Sequence, residues 1–189
     1  MGRKKAIEMQ ELMKATEELL LEHGYHAFHF KMLAARLDVA RTTIYEYYAN
    51  KEELITDYMF NLMERIQSEC ESLSLEVMPL QKLKGMLRIF VKYGQIHKII
   101  IMVPQVNADA SQKTKESLFK IAQQHQTLLQ MMLLWIREGK AQKLIREDVS
   151  EGIIAGLFFN VIQIPNHRGI PTEEYVEQLF DVLCHGFAN

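Results

Sequence analysis

The chain has 189 residues, nearly half of them hydrophobic, and a formal charge of −2. These numbers allow one large domain, or a small domain joined to a larger one, with ample material for a core. They exclude a globally basic coat for nucleic acid, though not a local footprint, and four prolines and nine glycines with few turn-rich strand patterns point to an all-α fold.

The opening MGRKKAIEMQ is basic but lacks the apolar run of a signal peptide. A first helix is predicted over residues 5–22, with Ile7, Leu12, Ala15, Leu19 and Leu20 as its apolar stripe. Gly24 is placed to end it in a left-handed conformation. A second helix follows over 30–37, a turn at Asp38, and a third helix over 41–48. Asn50 is a good N-cap for a fourth helix over 51–72, whose first turn holds Glu52 and Glu53, on the side the helix dipole favours. SLSLEVMP is a break closed by Pro79. A fifth helix covers 80–96, and a short apolar piece at 98–103 stops at Pro104. After the polar NADASQKT, a long helix covers 113–139. The next helix, 149–164, is capped near Asp148 or Ser150. The last begins after Pro171 with Thr172 as N-cap. Its neighbour from Gly152 to Pro165 is the longest greasy run, and Asn160 and Gln163 leave it too short to span a bilayer. Cys70 and Cys184 are far apart and share no metal-ligand spacing. A reduced, cytoplasmic protein without a metal or cofactor is the expectation.

The segment FHFKMLAARLDVARTTIYEYYANKEEL, residues 28–54, has the layout of a helix-turn-helix. Stepping 100° per residue from Arg41 brings Ile44 and Tyr48 to about 300° and 340°, against Leu33, Leu37 and Val39. Thr42, Thr43 and Glu46 are then assigned outward, with Tyr45 and Tyr47 on the flanks. Small hydroxyl-bearing residues suit base edges and thymine methyls, and Arg41 suits a guanine edge. Tyr45, Tyr47 and Lys51 suit phosphate oxygens, and Lys31, on the preceding helix, suits a phosphate or a flanking base. Counted over 1–51, the charges are eight Lys/Arg against seven Asp/Glu, so charge alone does not lead to DNA.

Residues 6–54 resemble the DNA-binding domain of the tetracycline-repressor (TetR) family. The resemblance rests on Gly24-Tyr25, on Leu33-Ala34, on the turn with valine at Asp38-Val39, on the run Thr43-Ile44-Tyr45-Glu46-Tyr47-Tyr48, and on Lys51 to Leu54. A weaker likeness lies in the stretch from Gly139 to Asp148. The chain departs from the pattern at Asp38, where glycine is common, and at Ala40, where Ser or Thr usually caps the reading helix. Phe28 and His29 stand where Thr or Ser often opens the second helix, and Glu46 faces outward on a helix meant for a polyanion. The resemblance implies a helix-turn-helix DNA-binding domain at 1–50 and a helical effector-binding and dimerisation domain at 51–189. It also implies a homodimer on a palindromic operator and repression relieved by a small ligand.

The residues support part of this independently. Apolar positions run nearly all the way round the 149–164 helix, so it must be buried on more than one side. Ile153, Gly156, Leu157 and Asn160 on that helix, with Val176, Leu179, Phe180, Leu183 and Phe187 on the last, are the predicted dimer interface. Met86, Phe90, Tyr93, Met102, Leu128, Met131, Trp135 and Phe158 are candidates to line an apolar effector cavity, with His97, His125, Gln124 and Asn160 as polar anchors. Methionine adapts to irregular ligands, although a stripe of this kind is also ordinary core. A mainly hydrophobic or amphipathic small molecule is the expected effector. Enzymatic readings find no footing. None of the seven histidines has Glu three residues before it, and there is no P-loop, Gly-x-Ser-x-Gly or His-Glu-x-x-His motif. The evenly spaced His23, His26 and His29 straddle the glycine break. The alternative is a protein-interaction module, or a regulator answering to a protein partner, that keeps the same head.

Overall fold

The structure is a computed structural model that describes residues 7–76 and 78–185, without the side chains of Gln95, Ile96 and His97. The described residues hold helices and turns and no strand: α1 Met9–Ala27, α2 Phe30–Arg36, α3 Arg41–Tyr45, α4 Lys51–Ser72, α5 Pro79–Lys92, α6 Gly94–Ile100, α7 Gln112–Ala141, α8 Glu151–Val161 and α9 Thr172–His185. They form two compact units, one of Met1–Met63 with Gln95–Ala122, the other of Glu64–Gly94 with Gln123–Asn189. Among the described residues no helix is long and apolar enough to cross a membrane. Phe187 lies outside the described residues.

In the first unit, α1 buries Leu12, Ala15, Leu19 and Leu20, the stripe its periodicity predicts. Gly24 interrupts the helix at φ 73°, ψ 174°, a region closed to residues with a side chain. It is a kink rather than an end, because one more turn follows and Phe28 N donates to Gly24 O at 3.2 Å. His29 then does what Ser or Thr would do elsewhere. Its Nδ1 accepts from Met32 N at 3.2 Å and caps α2. At the turn Asp38 takes φ 53°, a left-handed geometry that aspartate tolerates better than most residues. Ala40 leaves α3 without a side-chain cap. Asn50 caps α4 as expected, accepting from Glu53 N at 2.8 Å. Ser111, which the spacing did not single out, caps α7 by accepting from Thr114 N at 3.1 Å.

In the second unit, α5 starts at Pro79, whose missing N–H costs nothing in a first turn. The helix expected to run to 96 ends at Lys92 and restarts as α6. Leu83, Met86, Leu87 and Phe90 form the buried side of α5, which packs chiefly on α9. The α7–α8 connection is shaped by Gly139. A Cβ there would lie 2.6 Å from Ile145 Cδ1, so glycine lets the isoleucine fold back onto the helix end without shifting. This gives a packing reason for the Gly139-to-Asp148 stretch. Ser150 caps α8, accepting from Ile153 N at 3.3 Å. Thr172 is the first residue of α9 and not its cap, since Tyr175 N donates to Pro171 O at 2.9 Å.

Gly24→Ala should destabilise the fold by about 1–3 kcal/mol. Nothing lies within 4 Å of the added Cβ, so backbone strain alone is responsible. Urea unfolding should show a lower midpoint with an unchanged slope.

Candidate nucleic-acid interface

The reading helix α3 is held from below by Ile44 and Tyr48, both buried, and packs on α2, where Leu33 and Ala34 are buried. The Tyr48 hydroxyl donates to Asp57 on α4. Burial first, and the Asp57 carboxylate second, push its pKa up and keep it neutral. The Lys113 ammonium lies 4.9 Å from the centre of the same ring.

Arg41, Thr42, Tyr45 and Glu46 are exposed on α3 and at its end, and Lys31 is exposed on α2. Arg41 Nη2 donates to the Tyr45 hydroxyl at 2.7 Å, and its guanidinium lies 5.3 Å from the Tyr45 ring centre. The Tyr45 ring meets Phe30 edge-on at 5.0 Å. The arginine at the start of the helix is thus aligned along its outer flank by a tyrosine that α2 holds in place.

Three predicted contact residues are placed differently. Thr43 is only 5% exposed, because the buried arc of α3 reaches from Thr43 round to Tyr48 and not merely from Ile44. Tyr47 falls inside that arc at about 240°. Its hydroxyl accepts from Ile7 N and donates to Ile7 O, both at 3.2 Å. Lys51 is half-buried and turned back on α1. Its ammonium donates to Tyr25 O at 3.0 Å and Phe28 O at 3.3 Å and sits 4.4 Å from the Tyr25 ring centre. A cation on the terminal carbonyls of a helix is favourable on dipole grounds as well as by hydrogen bonding.

Sequence reasoning missed Tyr25 as a junction. Its hydroxyl donates to Glu52 Oε1 at 3.0 Å and accepts from Asn107 N at 3.4 Å. It therefore ties the end of α1 to the start of α4 and to the loop before α7, all within the first unit. The only signal was the Gly24-Tyr25 pair.

Residues 12–58, the stretch containing this head, match the family described as bacterial regulatory proteins, tetR family. Over these residues the chain is similar to the TetR family. No curated protein sequence matches the chain. Among solved structures, the chain is similar to the ketosteroid transcriptional regulator KstR2 of Mycobacterium tuberculosis, with a TM-score of 0.79, 14% identity, and 99% of this chain and 100% of the other covered. It is similar to AibR in complex with isovaleryl coenzyme A and operator DNA, with a TM-score of 0.75, 15% identity, and 94% and 98% covered. It is also similar to the transcriptional regulator FadR from Bacillus subtilis in complex with stearoyl-CoA, with a TM-score of 0.69, 18% identity, and 96% and 100% covered. At these identities the likeness establishes the fold over nearly the whole chain.

In the C-terminal part of the chain the predicted residues divide. On α8, Ile153 is 59% and Leu157 52% exposed. Gly156 has open space over its Cα, and Asn160 is exposed with its amide donating to Gly156 O at 2.7 Å. On α9, Val176 and Leu179 are buried in the chain's own core and so cannot meet a partner. Phe180 and Leu183 are half-buried, while Val182 and Cys184, which were not chosen, are exposed. A cleft of about 650 Å³ lies beside this face, lined by Leu83, Ile145, Leu157, Phe158 and Phe180 among others. Of the predicted effector-pocket residues, only Phe158 lines it. Met86, Phe90, Leu128, Trp135 and Phe158 are buried, and Tyr93 and Met131 are half-buried, all in the second unit. Met102 belongs to the first unit and does not group with them. Phe159 stacks on Phe90 at 5.6 Å and on His125 at 5.5 Å. Next to His125, Gln124 has a buried Oε1 without a hydrogen-bond partner among the described residues.

Lys51→Met should lower stability by about 1–2 kcal/mol, since two carbonyls at the end of α1 lose a charged donor. A residue serving only as a phosphate contact would leave the thermal midpoint unmoved, so differential scanning calorimetry without DNA separates the two roles.

Proposed function

We propose that this protein is a transcriptional repressor that binds a palindromic operator as a homodimer and is released by an amphipathic small molecule. The observation that carries the reading is the exposed surface of α3, where Arg41, Thr42, Tyr45 and Glu46 stand outward from a helix fixed by its buried underside. A short rigid helix with hydroxyls and one arginine outward matches the dimensions and edge chemistry of the major groove. Arg41 and Thr42 are assigned to base edges, and Lys31 and Tyr45 to flanking phosphates. Glu46 accepts from a cytosine amino group or rejects wrong sequences.

Dimerisation is supported by the exposed Ile153 and Leu157 on α8. Two large apolar side chains one turn apart gain by burial against a second copy, at about 25 cal/mol per Å². A twofold pair of reading helices then demands half-sites about one helical turn apart, or a multiple of it.

For the effector we favour an acyl-coenzyme A thioester. The solved structures of FadR with stearoyl-CoA and of AibR with isovaleryl coenzyme A support this class. In this chain the support is the Phe90–Phe159–His125 stack with the unpartnered Gln124 oxygen beside it in sequence. An apolar, aromatic wall suits an acyl chain, and the Gln124 oxygen would accept from a ligand N–H such as those of the pantetheine amides. The ligand acts by binding more tightly to the form whose heads are wrongly spaced for DNA.

The test is a band shift with duplex from the chain's own upstream region. Arg41→Ala and Thr42→Ala should each weaken binding by about 5–150-fold, the worth of a base contact of about 1–3 kcal/mol, without moving the thermal midpoint. Stearoyl-CoA or a shorter acyl-CoA should then dissociate the wild-type complex. Binding that ignores both substitutions would remove DNA reading by α3. A second measurement addresses assembly. Leu157→Glu should convert a dimer to a monomer by light scattering while far-ultraviolet circular dichroism stays the same.

A further inference from the structure

Arginine presents its N–H donors on a flat guanidinium that swivels on a long stem. An exposed arginine therefore meets a base edge in many orientations, and selecting one costs side-chain freedom on binding. Arg41 is the exposed cation at the start of α3, and its neighbours restrict it. Tyr45 lies four residues on, on the same side of the helix. Its hydroxyl oxygen accepts from Arg41 Nη2 at 2.7 Å, and its ring centre lies 5.3 Å from the guanidinium carbon. The ring is set in turn by Phe30 on α2, which meets it edge-on at 5.0 Å and is itself buried. A line of contact thus runs from a buried side chain of one helix to the outermost cation of the next.

The kind of partner matters. Arg36 is held by two carboxylates, Glu18 at 3.0 Å and Glu22 at 2.7 Å, which fix it but offset its charge. A hydroxyl partner orients an arginine and leaves its charge for a polyanion. It also leaves less choice of geometry. A guanidinium grips a guanine edge through one of two forks, Nε with Nη2 or Nη1 with Nη2, and each fork uses one of the two hydrogens on Nη2. The bond to Tyr45 takes one of those hydrogens and closes one fork. The other fork remains, and its direction follows the Tyr45 ring. The tyrosine oxygen keeps its own proton, which it can donate to a phosphate. A backbone contact and a base contact are then joined through one atom.

We infer that Tyr45 selects the fork with which Arg41 reads the duplex, and so confines a guanine preference to one position of each half-site. The inference rests on the DNA-binding reading above. The guanine edge supplies the O6 and N7 acceptors that a single fork fits. Tyr45 is a positioning residue for this contact, and Phe30 is its support.

The experiment is selection by the full-length protein from a duplex pool with about 30 randomised base pairs, enough for two half-sites, followed by sequencing. The wild type should enrich a motif with guanine at one position of each half-site. Arg41→Ala should lose about 5–150-fold discrimination there, the worth of a bidentate contact. Tyr45→Phe keeps the ring and removes only the hydroxyl. It should lose most of the guanine preference at that same position and keep the rest of the motif. Added to Arg41→Ala, it should relax no further position. A Tyr45→Phe motif that keeps its guanine overturns the inference, and a uniform fall in affinity beside it leaves Tyr45 as a phosphate contact only. A wild type that enriches no motif, or an Arg41→Ala variant that relaxes no position, removes base reading by Arg41 itself, a result distinct from the failure of Tyr45.

Discussion

The head depends on one constraint: α3 has only five helical residues, too few to persist by its own hydrogen bonds. Its position has to be imposed by tertiary contacts. Ile44 and Tyr48 anchor it from beneath, Tyr48 by a hydroxyl that reaches Asp57 on α4. Tyr47 binds the chain ahead of α1, and Lys51 closes the far end of α1. The tyrosines and lysine at 47, 48 and 51 are thus internal braces, and their polar atoms set the geometry with which the outward residues meet a partner. An uncapped α3, started by Ala40 and following a left-handed Asp38, is affordable because these braces replace what local signals lack.

The second unit is organised by a different balance. The face shared by α5 and α9 is closed by Met86, Leu83, Val176 and Leu179. Burial of side chains of this size contributes about 1.5–3 kcal/mol each. The ion pairs across the same helices, Lys84 with Glu177 and Arg88 with Glu173, are partly exposed and by comparison add little. On α8 the inner side is Ala155, Phe158 and Val161, while Ile153 and Leu157 face outward. An apolar circumference of that kind buries only its inner half within the chain, and the outer half stays exposed.

Much of the architecture was legible in the chain. The stripe of α1, the Asn50 cap of α4, the Pro79 start of α5 and the Ser150 cap of α8 all rest on spacing within a few residues. The helix-turn-helix order was legible for the same reason, since a glycine, a turn and a hydroxyl-aromatic run leave local marks. Boundaries slipped where a local signal was ambiguous. Gly24 reads as a stop but serves as a kink, and Thr172 reads as a cap but lies one position inside.

The candidate site was only half legible. The wheel set Thr42, Thr43 and Glu46 outward with Tyr45 and Tyr47 on the flanks, but it has no knowledge of neighbours, so it left Thr43 exposed and Tyr47 free, whereas the fold buries the first and bonds the second to Ile7. On α9 it marked one continuous stripe, whereas the fold buries Val176 and Leu179 and leaves Val182 exposed. Periodicity and capping chemistry determine which segments become helices and which side of each is apolar, because those properties depend on residues a turn apart. The partners of Tyr25, Tyr47 and Lys51 lie 23 to 82 residues away in the chain, and only tertiary packing chooses among donors and acceptors at that range.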